Sequence, residues 1–161
     1  MNKKIFIPFL LMIALISCNN KSAFNYSQEI VKKEQSMLPD INNTENKIRD
    51  FLSNQQYDSI EAAGARMEKL VDAKMNEIKD QPAPDAKEAQ PFKDASLKYF
   101  AFIKSMYTGY KDFGHAKTDE ERETEMAKLR KMVDDKTQAI QDMQTAQKKF
   151  ASANGFKLES N

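Results

Sequence analysis

The chain of 161 residues holds one cysteine, Cys18, and one histidine, His115. Between them they bound the chemistry on offer. A di-iron site in a helical bundle needs two Glu-x-x-His motifs, which a single histidine cannot supply. Covalent haem needs Cys-x-x-Cys-His, and the sequence has none. It also has no Gly-x-x-x-x-Gly-Lys loop to cradle phosphates and no Gly-x-Ser-x-Gly elbow to present a nucleophile. His115 reads as a turn residue near the negative end of a helix dipole. Seven of the nine methionines lie beyond residue 17, most at apolar seam positions, where they fill cores rather than bind copper. Carboxylates alternate with lysines in the manner of solvated helix faces. No catalytic residue, metal or cofactor is expected, and the chain reads as a non-enzyme.

Cys18 is the residue whose setting does suggest a chemistry. The chain opens Met1-Asn2-Lys3-Lys4, runs through an apolar block from Ile5 to Ile16, and reaches Leu15-Ile16-Ser17-Cys18. A positive start, a short apolar core and a small residue before the cut make a secretory leader. The block falls short of the roughly 20 residues needed to span a bilayer, and Pro8 interrupts it. The tetrapeptide ending in Cys18 resembles the lipobox of bacterial lipoproteins. That resemblance implies removal of residues 1–17 and a thioether-linked diacylglycerol on Cys18, with a further N-acyl chain such as palmitate. Each buried methylene adds about 0.8 kcal/mol, so one chain holds marginally and two or more hold stably. By analogy with enteric lipoproteins, Asn19 after the cysteine favours the outer membrane. The lack of an acidic run in residues 19–22 favours a periplasm-facing position over surface display.

Removing 17 of the 161 residues leaves 144, enough for one domain with a real core. Beyond residue 17 stand 23 basic and 24 acidic side chains. That balance argues against a nucleic-acid surface, which would be basic and patchy. Mean hydropathy of −0.71 with 40% hydrophobic residues fits solvated helices with narrow apolar seams. With Cys18 in a thioether, no disulfide can form within the chain, so stability must come from packing.

Four helices must supply that packing. Residues 18–24 read as the lipidated cysteine and a polar tether, and residues 25–159 as the bundle. Ile30, Met37, Ile41, Ile48 and Phe51 recur at threes and fours and predict a helix over 25–53, with Glu34 and Thr44 as polar members of its seam. Pro39 removes a backbone hydrogen bond there. Because the apolar phase continues past it, a kink is expected rather than a break, although a fresh start at Ser36 is the other possibility. Asp58 is expected to cap a second helix reaching Lys79, in which Gly64 marks a close helix–helix approach. The proline-rich stretch 81–91 predicts a stiff connector. A third helix covers 92–113. Thr118 with Glu121 forms a capping box for the fourth, whose Met126, Leu129, Val133, Ile140, Met143 and Phe150 follow coiled-coil heptad spacing. Asn154-Gly155 ends it, and Phe156 and Leu158 fold back onto its last turn. Short connectors make the whole an all-α, antiparallel up-down-up-down four-helix bundle. With the anchor at one end, the 54–57 and 114–118 turns would lie far from the membrane.

Helix three concentrates the aromatics. Tyr99, Phe100, Phe102, Tyr107 and Tyr110 cover a stripe broader than a simple seam. Two readings stand: a helix packed against two neighbours, or a hydrophobic face open to a ligand or partner. Asn25-Tyr26 ahead of Ile30-Val31, Phe92-Lys93-Asp94-Ala95 leading to Leu97-Lys98-Tyr99-Phe100, and the run from Phe150 to Glu159 resemble a further pattern. It is that of small bacterial surface lipoproteins, a leptospiral-type family common in Bacteroidetes-like bacteria. The resemblance implies an envelope lipoprotein with no catalytic residues to carry over. The expected function is a non-catalytic structural or protein-interaction module with an envelope protein partner. The alternative is a carrier of a hydrophobic small molecule or lipid, held by the aromatics of helix three.

Overall fold

Apolar residues at helical spacing, broken only by Gly, Pro and short polar turns, leave each segment one stripe to bury. In the computed structural model, which describes residues 21–158, every such segment is helical: α1 (Lys21–Ser53), α2 (Tyr57–Asp80), α3 (Ala89–His115) and α4 (Asp119–Ala153). No strand occurs among the described residues, and the arrangement is that of a four-helix bundle. None of these helices is long and apolar enough to cross a membrane.

Several boundaries differ from the sequence expectation. α2 ends at Asp80 rather than Lys79, and α3 runs to His115 rather than Phe113, so the expected turn residue His115 falls in its last turn. Three helix starts also shift, each for a local reason. α1 is already helical at Lys21, the first described residue and four ahead of the expected start, and takes in most of the expected tether. Ala23, Tyr26 and Ser27 are buried, and Phe24 packs on the same core, so that first turn gains apolar cover. α2 begins at Tyr57, one residue ahead of the expected cap. Its N-cap is Gln56, which makes no side-chain cap hydrogen bond, and Asp58 sits inside the first turn, where its charge faces the positive end of the helix dipole. α3 begins at Ala89 and includes Pro91, because the first-turn N–H groups of a helix have no carbonyl to meet and proline costs little there.

The break at Ser36 does not occur, and the cap and end of α4 are as expected. α1 runs unbroken through Pro39, which is exposed, so water can take the carbonyl that proline leaves unbonded. Thr118 accepts from the Glu121 amide at 3.2 Å, while the Glu121 carboxylate accepts from the Thr118 amide at 3.0 Å, completing the capping box. After α4, Gly155 adopts φ 68°, the Phe156 amide donates back to the Ala151 carbonyl at 3.1 Å, and Leu158 packs on the core.

Consecutive helices pack most closely, α2 against α3 above all, whereas α1 and α4 touch sparingly. Ion pairs, a hydrogen bond and a ring contact join consecutive helices. Lys33 pairs with Glu77 and Arg66 with Asp40 between α1 and α2. Lys111 pairs with Glu68, and Lys104 with Asp72, between α2 and α3. Ser96 meets Met143, and Phe92 stacks on Phe150, between α3 and α4. One apolar cluster fills most of the interior, and a smaller one of Ile60, Phe113 and Leu129 closes the end holding the 54–56 and 116–118 turns.

Candidate functional site

Three turns of α-helix take about 11 residues, so Glu34 and Glu45 share a face of α1, and Tyr99 and Tyr110 share a face of α3. The fold turns these faces towards each other. The Tyr99 hydroxyl donates to Glu34 Oε1 at 2.8 Å. Two turns on, the Tyr107 hydroxyl reaches Glu45 Oε1 at 3.5 Å, and the Tyr110 ring lies 6.2 Å from that of Tyr107. On the other flank of α1, Arg66 donates to Thr44 Oγ1 at 2.7 Å. The polar seam residues Glu34 and Thr44 are thus both buried and both paired.

Burial governs the electrostatics. Glu34 is only 5% exposed, and loss of water raises its carboxyl to about 7 despite the Tyr99 hydrogen bond, which pulls the other way. Burial also raises Glu45, against the pull of Lys136, Arg49 and Tyr107. Tyr99 and Tyr107 are pushed far above the usual phenol range by burial and then by the neighbouring glutamates. Tyr110 is pushed up to about 12 by burial and the Glu45 charge. Glu34 is shut off from solvent in this arrangement and hydrogen-bonded between α1 and α3.

The five aromatic positions singled out on α3 separate into different roles. Tyr99, Tyr107 and Tyr110 make the glutamate-facing row just described. Phe100 is fully buried in the main cluster. Phe102 is half-buried and belongs to neither cluster. Four of the five rings are thus packed against helix neighbours. Cys18 lies outside the described residues. His115 is exposed on the last turn of α3, its Nδ1 3.1 Å from Glu61 Oε1. Among the described residues, no three of His, Cys, Asp and Glu gather as a metal site would require.

The densest aromatic contact lies elsewhere, at the end of the bundle where α1 starts and α4 stops. Phe92 stacks on Phe150 with centroids 5.0 Å apart and planes at 12°. Tyr26 meets both rings edge-on, and Phe156 bridges Phe150 and Phe24. Sequence reading put the aromatic centre on α3 alone. Tyr26 at the start of α1 and the rings closing α4 were separately visible, but nothing in their spacing showed that they meet. Beside this cluster a recess of about 590 Å³ lies between the first turns of α1 and the proline connector, lined in part by Asn25, Tyr26, Glu29 and Gln81. The Gln81 side-chain amide donates to Glu29 across it.

Tyr26 carries a cost within this cluster. Its hydroxyl is buried without a hydrogen-bond partner among the described residues, and burial with the Asp94 and Glu29 charges pushes it up to about 12. A buried unpaired hydroxyl costs about 1–3 kcal/mol. Tyr26→Phe is therefore expected to raise unfolding free energy by about 1 kcal/mol in urea titration. A loss of stability instead would mean that the hydroxyl is satisfied, through water in the adjoining recess.

Compared with protein-family models, with curated proteins and with solved structures, the chain matches none.

Proposed function

We propose that this chain is an envelope lipoprotein, held to the outer membrane by lipid on Cys18, facing the periplasm. Its four helices form an antiparallel up-down-up-down bundle that acts as a non-catalytic module for an envelope protein partner. This is the kind of protein that its core and cap segments resemble. The order of the helices is supported by the ion pairs and ring contacts between neighbours, in which numbering rises on one helix as it falls on the next.

The observation that carries the reading is how little chain separates the lipobox-like Leu15-Ile16-Ser17-Cys18 from folded structure. α1 begins at Lys21, three residues after Cys18, a span of at most about 11 Å. A lipid on Cys18 would hold that end of the bundle at the bilayer surface. α1, with 33 residues, would carry the 54–56 turn about 50 Å outward at ~1.5 Å per residue. A rod of this length with paired seams suits presentation to a partner, and its filled α3 face leaves the carrier reading without a feature of its own.

Cells fed labelled palmitate are expected to label the wild-type chain and leave Cys18→Ser unlabelled and uncleaved. Equal labelling of both proteins would remove the anchor. For the partner, cross-linking in intact envelopes should recover a defined protein neighbour. Stoichiometric lipid retained by the bundle itself, with no such neighbour, would favour the carrier.

A further inference from the structure

The bundle is electrically uneven from end to end. Residues 47–61 and 111–125, around the turns at one end, carry nine acidic and five basic side chains. Residues 21–29, 79–94 and 148–158, which make the other end, carry seven basic and five acidic ones. Within that basic end the charges also separate. Residues 148–158 hold Lys148, Lys149 and Lys157 and no acid, and Glu159 follows them in the sequence. Phe156 against Phe24, with ring centroids 5.8 Å apart, brings this segment beside the start of α1 and Lys21. Asn154 donates to the Lys87 carbonyl at 2.8 Å, joining the α2–α3 connector to the same end.

Lys21, Lys148, Lys149 and Lys157 are all exposed. Among the described residues the ion-paired lysines are Lys33, Lys74, Lys104, Lys111 and Lys128, and these four are not among them. The nearby acids are partly engaged: Glu29 accepts from Gln81, and Asp94 accepts from Gln90 at 2.8 Å. Asp80, Asp85 and Glu88 remain exposed on the connector side. The positive charge is thus concentrated where α1 enters and α4 leaves, three residues of chain from Cys18.

We infer that this end of the bundle rests against anionic lipid headgroups, with Lys21, Lys148, Lys149 and Lys157 supplying the attraction. The inference rests on the lipid-anchor reading above, which brings this end to the bilayer. Anionic headgroups attract lysines only within a Debye length of the surface. The short link from Cys18 meets that condition, and the acidic end would point away from the negative surface. Contact at the lysine end would fix the tilt of the rod, which a flexible acyl anchor alone leaves free.

The test uses the whole chain as cells make it, incorporated into vesicles of phosphatidylcholine alone or of phosphatidylcholine with phosphatidylglycerol. Mass spectrometry reads how fast an acylating reagent modifies each lysine. Lys21, Lys148, Lys149 and Lys157 should react about five-fold more slowly in the anionic vesicles. The protection should vanish in about 1 M salt, where the Debye length falls to about 3 Å. Lys47 and Lys117, near the opposite turns, should react alike in both. Equal rates for the four lysines at low salt overturn the headgroup contact. The same spectra weigh Cys18. Lipid there with no protection leaves the anchor standing and removes the contact. Salt-sensitive protection without lipid removes the anchor and upholds the contact.

Discussion

Glu34→Gln is expected to make the protein about 3 kcal/mol more stable near pH 8 and to flatten its stability between pH 4.5 and 7. Burial raises the Glu34 carboxyl from 4.5 to about 7 in the folded chain. Below 4.5 both folded and unfolded chains hold the proton, and the group exacts no penalty. As pH climbs from 4.5 to 7, the unfolded chain releases its proton while the folded chain keeps it, so stability falls. Above 7 the loss is complete, at roughly 1.4 kcal/mol for each tenfold difference in proton affinity between the two states. Glutamine cannot ionise and its carbonyl can still accept from Tyr99, so the penalty goes while the hydrogen bond stays.

Glu45 is raised in the same direction by burial and should leave a residual slope of the same sign. Glu68 and Glu77 are lowered, chiefly by hydrogen bonds from Lys111 and Lys74. Their stabilisation is present above 4.5 and lost only as pH falls further, and such exposed pairs contribute little. Urea titrations of both proteins across this range decide the matter. Parallel curves for wild type and Glu34→Gln would show that the Glu34 site is open to water.

Gly64→Ala and Gly114→Ala should each destabilise the protein by about 3 kcal/mol, although alanine is by itself about 1 kcal/mol better than glycine inside a helix. A Cβ on Gly64 would stand 2.6 Å from the Lys111 amide nitrogen and 2.7 Å from the Tyr107 carbonyl oxygen. On Gly114 it would overlap the Glu61 amide and lie 2.6 Å from the Tyr57 carbonyl oxygen. In both cases the obstacle is the backbone of the opposing helix, which cannot rotate aside, so α2 and α3 must part. Separation would also loosen Lys111 from Glu68 and Thr108 from Glu68, now 2.6 and 2.8 Å apart.

Gly109→Ala serves as the comparison. Its added carbon would meet the Leu129 side chain at 2.7 Å, and a side chain can change rotamer. Thermal unfolding of the three variants should show Gly109→Ala losing least. If all three lose equally, backbone approach between α2 and α3 is not what the glycines provide.

Much of the architecture was legible because helical periodicity is a property of neighbouring residues. Ile30, Met37 and Ile48 mark the buried face of α1 without reference to any other segment, and all three are at most 1% exposed. Thr118 and Glu121 name their own cap, since both partners of a capping box lie within one turn. Gly64 could be flagged as a point of close approach because nothing else explains a glycine there. The start of α1 was not legible. Lys21 and Ser22 look like tether, and it is the burial of Ala23, with Tyr26 packed against Phe92 of α3 and Phe150 of α4, that draws this segment into the helix. The candidate site was half legible: Glu34 stood out as polar in an apolar seam, and Tyr99, Tyr107 and Tyr110 as aromatics on one face of α3.

The amino-acid sequence by itself determined four helices and the stripe each must hide. Local backbone preference and periodicity act over a few residues, so they can be read from one strip of sequence. Only the tertiary structure decided that Glu34 meets Tyr99 and Glu45 meets Tyr107, and that Tyr26, Phe92, Phe150 and Phe156 form one aromatic cluster. It also brought Phe156, after α4, against Phe24 in the first turn of α1. Those pairings depend on how far each helix slides along its neighbour. That axial register is set by the sum of many weak contacts and by the depth to which Gly64 and Gly114 let two backbones approach.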